Sequence, residues 1–149
     1  MKLVTYSHNA EARLGFLNGD RIVDMERFGS QVGMELPNDM LSLIDRGIEA
    51  IPPIAKAVES AGSLESISFS MDQVELLAPI PRPRKNIIGI GLNYTEHIAE
   101  SARSLDTENK LPKDPIIFTK PPTAVIGTGK EIILNTNLTQ QLDWEVELA

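Results

Sequence analysis

The chain has 149 residues, 42% of them hydrophobic and 23% charged, with 14 basic against 21 acidic side chains and a formal charge of −7. That balance argues against a reader of nucleic-acid backbones, which needs a basic footprint, but leaves room for an anionic small substrate beside a bound cation. Cysteine is absent, which removes disulfide and thiolate chemistry, and no stretch nears the roughly 20 apolar residues that cross a bilayer.

The opening Met1-Lys2-Leu3-Val4 has no long apolar run behind its single basic residue. The expectation is therefore a soluble, cytoplasmic protein with no nucleic-acid or membrane partner. Lys2 to Ser7 is β-rich, and Arg13 to Leu17 and Arg21 to Met25 flank Asn18-Gly19, which predicts a hairpin with a type I′ turn. Leu41 to Ile48 and Ile54 to Ala61 repeat their apolar residues every three or four positions, the spacing of amphipathic helices. Pro52-Pro53 is expected to separate them, and Gly62 to cap the second. Residues 1–77 thus read as a small α+β domain without obvious chemistry.

At Ala78 the composition changes. Pro79, Pro81 and Pro83 alternate with Ile80, Arg82 and Arg84, an extended stiff linker over 78–85. Acidic residues outnumber basic ones two to one before residue 76 and nearly balance them afterwards. Beyond the linker, 86–90 reads as a buried strand, 93–103 as a helix capped by Asn93, and 104–114 as a surface loop or lid. Short strands are expected at 116–118 and 131–134, and a last one at 143–149. A chain that stops on Ala149 in mid-strand reads as the front part of a longer catalytic domain.

Three groups of residues could carry chemistry. In a strand, Asp143, Glu145 and Glu147 share one face while Trp144, Val146 and Leu148 share the other. Three carboxylates together repel unless solvated, protonated or bridged by a hard cation such as Mg²⁺, Mn²⁺ or Ca²⁺. On a helix, His97 and Glu100 lie three apart and face the same way, as a general-base dyad would. Lys120, where a strand meets Pro121-Pro122, can aim a cation at a carboxylate or enolate oxygen. Spacing alone also allows plainer readings: a strand with one wet face, a surface histidine and a solvated loop lysine. His8 has no assignable role, and Gly89-Ile90-Gly91 lacks the third glycine and the βαβ unit of a dinucleotide site.

Taken in order, these motifs resemble one family. Asn86-Ile87-Ile88-Gly89-Ile90-Gly91-Leu92-Asn93-Tyr94 with His97 and Glu100 is similar to the opening of the fumarylacetoacetate hydrolase catalytic domain. Pro115-Ile116-Ile117-Phe118-Thr119-Lys120-Pro121-Pro122-Thr123 with Ile126-Gly127 is similar to its next segment, and Asp143-Trp144-Glu145-Val146-Glu147-Leu148-Ala149 to its metal-binding strand. Residues 1–75 resemble the small N-terminal domain of bacterial two-domain members.

The resemblance implies an α+β fold: a small N-terminal α+β domain, then, over 86–149, the start of a mostly-β roll, truncated. It implies that Glu145 and Glu147 ligate a divalent metal, Mg²⁺ or Mn²⁺ and conceivably Ca²⁺. It also makes His97 a general base oriented by Glu100, and puts Lys120 close to the active site. The family's third metal carboxylate, an aspartate, lies downstream of this sequence. The substrate would be a small anionic 2-oxo or 1,3-diketo acid, handled through a metal-stabilised enolate. C–C hydrolysis, decarboxylation and isomerisation all share that logic, and the sequence does not choose among them. A homodimer is implied as well. Two other readings stand beside this one: an inactive fragment or split subunit that needs a second chain, and a non-catalytic binding protein of the same fold.

Overall fold

The computed structural model describes residues 1–91, 114–142, 144, 148 and 149. The described chain divides into two units, each taken by itself: Met1–Pro81 with Ile126–Lys130, and Arg82–Val125 with Glu131–Ala149.

In the first unit, β1 (Leu3–His8), β2 (Glu11–Asn18) and β3 (Arg21–Asp24) form an antiparallel meander. β4 (Ser68–Ser70) and β5 (Glu75–Leu76) are added at its two edges, giving the order β4-β3-β2-β1-β5. The hairpins are tight, but the turn chemistry differs from expectation. β2 and β3 pair through Asn18 and Arg21, so the loop is Gly19-Asp20, and only Gly19 has positive φ (62°). Glycine at the first central position is the mark of a type II′ loop, not I′. The loop with both central φ values positive is Asn9-Ala10, at 53° and 63°, between the paired His8 and Glu11. Alanine is an uncommon occupant of that left-handed conformation.

Three helices follow: α1 (Met25–Val32), α2 (Met40–Asp45) and α3 (Ile51–Ser60). The run read as a strand through Met25 in fact stops at Asp24. Its carboxylate accepts the Arg27 amide at 2.9 Å and caps α1, while Gly33 closes the helix at φ 72°. Met25, Phe28 and Val32 then recur at helical spacing. Asp39 caps α2 by accepting the Ser42 amide. The prolines expected to separate two helices instead lie within the first turn of α3, where their missing N–H leaves no bond unmade.

Alternation along the strands settles where the core lies. Leu14, Phe16 and Val23 face Met25, Phe28, Leu43, Ile54 and Leu64, and all are buried. Phe16 and Phe28 meet edge to face, with ring centroids 5.2 Å apart. On the opposite face, Tyr6 and Ile22 are also fully buried, and a Cβ on Gly15 would stand 3.0 Å from the Tyr6 ring and 2.7 Å from the Val23 carbonyl. Glycine there lets the tyrosine lie across the sheet.

In the second unit, β6 (Ile87–Gly91) pairs antiparallel with β7 (Ile116–Lys120). Residues 131–134, expected as a strand, have no ladder partner among the described residues, and Ile132 and Ile133 are exposed. The helix expected over 93–103 lies outside the described residues, as do all but the last residue of the 104–114 loop. No helix among the described residues is long and apolar enough to cross a membrane.

Candidate active site

The β6–β7 ribbon carries Lys120 at the end of its second strand. Its register pairs Ile87 with Lys120, Gly89 with Phe118 and Gly91 with Ile116, so these six side-chain positions share one face. Phe118 lies over Gly89: a Cβ there would fall 2.4 Å from the ring Cζ. Lys120 ends the strand, exposed, with its Nζ 5.6 Å from the Phe118 ring centroid, a cation–π contact. Pro121 follows at once, and a 3₁₀ turn over Pro122–Ala124 takes the chain away.

On the other side of β6, the Ile90 amide donates to the Leu148 carbonyl at 2.8 Å, an antiparallel bridge. Leu148 therefore lies beside Ile90, on the Ile88–Ile90 face. Of the candidate side chains, Lys120 is the one the structure describes. His97, Glu100, Glu145 and Glu147 lie outside the described residues. Among the described residues there is no group of three His, Asp or Glu side chains able to hold a metal.

Among the described residues an electrostatic cluster lies elsewhere, in the first unit, and it was not read from the sequence. Asp24, 1% exposed, accepts the Tyr6 hydroxyl at 2.6 Å and Arg13 Nε at 2.6 Å, besides the Arg27 amide. Arg13 continues outward to Glu26 at 2.6 Å and Glu11 at 3.2 Å. Burial alone would raise the Asp24 carboxyl, but the hydrogen bonds from Arg13, Tyr6 and the Arg27 amide outweigh it and hold the group below its usual value. Burial, and then the bond to Asp24, push the Tyr6 phenol well above the ordinary tyrosine range. With every acceptor direction occupied, this carboxylate fastens β1, β2 and α1 together instead of doing chemistry. The signal in the sequence was the alternation of Glu11 and Arg13 opposite an aspartate placed to cap a helix.

Comparison with known proteins bears on the ribbon directly. Residues 86–149 match the family model described as fumarylacetoacetate (FAA) hydrolase C-terminal. Residues 86–149 are a fumarylacetoacetate hydrolase family segment. The chain is similar to an oxaloacetate tautomerase of Bacillus subtilis, 34% identical in an alignment 140 residues long that covers 89% of this chain and 45% of that protein. A mitochondrial oxaloacetate tautomerase of Rattus norvegicus is 35% identical over 153 aligned residues, covering 100% of this chain and 44% of the relative. Among solved structures, a fumarylacetoacetate hydrolase from psychrophilic Exiguobacterium antarcticum superposes with a TM-score of 0.57 at 27% identity, covering 95% of this chain and 43% of that one. The chain thus spans less than half the length of these relatives. The family is one of enzymes, and the fold is mixed α and β.

Proposed function

We propose that this chain is part of a divalent-metal-dependent enzyme that interconverts the keto and enol forms of a small 2-oxo acid, oxaloacetate or a close analogue. The observation that carries the choice is that relatives similar along most of the chain are oxaloacetate tautomerases. Hydrolysis and decarboxylation of 2-oxo or 1,3-diketo acids draw on the same enolate and are the second reading, supported by the hydrolase among the solved structures.

His97, steadied by Glu100, is the group proposed to move the proton. It takes one from the carbon beside the keto group and returns one to the keto oxygen, so atoms and charge balance over the turnover. Lys120 offers a cation to the substrate's carboxylate or developing enolate oxygen. Glu145 and Glu147 are proposed to hold a divalent cation, Mg²⁺, Mn²⁺ or Ca²⁺. Their hard oxygen donors suit such ions, and the extended reading of 143–149 gives both the face opposite Leu148. A cation bound there would supply Lewis-acid stabilisation of negative charge on the substrate oxygens. A homodimer and a cytoplasmic setting complete the proposal, although several relatives bear mitochondrial names.

Calorimetric titration with Mn²⁺ is the direct test of the metal site. Binding near one ion per chain, lost in Glu145→Ala, is the expected result. Keto–enol equilibration of oxaloacetate by the protein extended to the length of its relatives then tests the reaction. It should be accelerated and should fall at least about 100-fold in His97→Ala, with metal affinity retained. Equilibration no faster than in buffer would sink the tautomerase reading.

A further inference from the structure

One short piece of the first unit comes from far along the chain: Ile126–Lys130. It is a β-turn, closed by the Lys130 amide on the Gly127 carbonyl at 3.2 Å, with Gly129 at φ 74° in the position where type II turns take glycine. The turn is seated on the chain leaving β5. A Cβ on Gly127 would stand 3.2 Å from the Leu76 carbonyl oxygen, 3.3 Å from Leu77 Cα and 3.4 Å from the Ala78 nitrogen. Backbone rests on backbone there, and the Lys130 ammonium pairs with the Glu75 carboxylate. The same stretch is also tied to β1. The Leu77 amide donates to the Thr5 carbonyl at 2.9 Å, and the buried Thr5 hydroxyl donates to the Pro79 carbonyl at 2.6 Å.

We propose that the Gly127–Lys130 turn is a clasp by which the N-terminal unit fixes the loop that leaves Lys120. Only Pro121–Val125 lies between Lys120 and the turn. That link contains two prolines and a 3₁₀ turn closed by the Ala124 amide on the Pro121 carbonyl at 2.9 Å, so it has little slack. Gly127 and Glu75 are thus positioning residues, acting on the end of β7 through the chain. The idea rests on the proposed function only in giving Lys120 an active-site role, and the clasp is tested without turnover.

The experiment is amide hydrogen exchange, followed by NMR, on the whole 149-residue chain. In Gly127→Val, exchange at Ala124 and Val125 should accelerate about 10- to 100-fold, the effect of crowding a close-packed contact, while β1–β3 keep their protection. Gly62→Val, at a glycine with open space around it, should change neither. Glu75→Lys should accelerate the same two amides about twofold, and Glu75→Lys with Lys130→Glu should restore them. That exposed pair is replaceable without threatening the fold, so the test survives if Gly127→Val fails to fold. Unchanged exchange at Ala124 and Val125 overturns the clasp. Loss of protection spread evenly over β1–β3 overturns it equally, because that is ordinary destabilisation. A failed Mn²⁺ titration would leave these outcomes untouched.

Discussion

The two units solve opposite problems with similar materials. The first closes its apolar side chains between a five-stranded sheet and three helices, and ties its central aspartate to four donor groups on three elements. Among the described residues of the second, Ile88 and Ile117 are exposed on one face of the two-stranded β6–β7 ribbon, and a two-stranded ribbon by itself is marginal in water. Among the described residues, the packed core lies in the first unit, while Lys120 lies in the second. The contrast teaches that one sequence can close a core in one stretch and leave strand isoleucines exposed in another.

The comparison can be broken first at the core. Phe16→Ala should destabilise the first unit by about 3–5 kcal/mol, measured by urea unfolding followed through its near-UV signal, because a buried ring and its edge-to-face contact with Phe28 are both lost. A change under about 1 kcal/mol would show that the unit does not depend on that core. Asp24→Asn should cost about 1.5–3 kcal/mol, since charge-assisted bonds from Arg13 and Tyr6 weaken together. The pH dependence has a definite sign. Asp24's carboxyl is depressed on folding, so its contribution is present above the ordinary carboxylate range and is lost as pH falls through the lowered folded value. Tyr6 runs the other way: its raised phenol contributes below the usual tyrosine value, and that contribution is lost as pH climbs through the folded one. The acid limb should flatten in Asp24→Asn.

Smaller effects sharpen the contrast in the second unit. Gly89→Ala should destabilise the ribbon by about 1–3 kcal/mol by displacing the Phe118 ring, read as loss of amide protection in β6 and β7. Adding Phe118→Leu should recover part of it. At the small end, Ala10→Gly should stabilise the first unit by roughly 0.5–1 kcal/mol, since glycine accepts positive φ at no steric cost. An unchanged midpoint would mean the turn is relaxed with alanine.

How much of this was legible in the sequence depended on whether a signal was local. The first three strands were, through alternation and tight turns, although Asn18-Gly19 misled about which residues occupy the loop. α1 was missed because Met25 continues an apolar strand pattern; the decisive fact is that Asp24 turns its carboxylate onto the Arg27 amide. Residues 131–134 have strand composition but no ladder partner among the described residues, and composition cannot supply one. At the candidate site, residue types and order sufficed to recognise the family. The position of Lys120 against Phe118 did not follow from them, because it depends on pairing across β6 and β7.

The discontinuity of the first unit bears on how the protein is made. Pro81 leaves the ribosome 49 residues before Lys130, the last residue of that unit, so at typical elongation rates the sheet waits about 2–10 s for its final piece. During that interval the β5 side of the nascent sheet lacks the turn that will rest on it, and an unoccupied strand edge invites pairing with other chains. Pro79, Pro81 and Pro83, none of which has an N–H to offer, make the chain leaving that edge a poor template for such pairing.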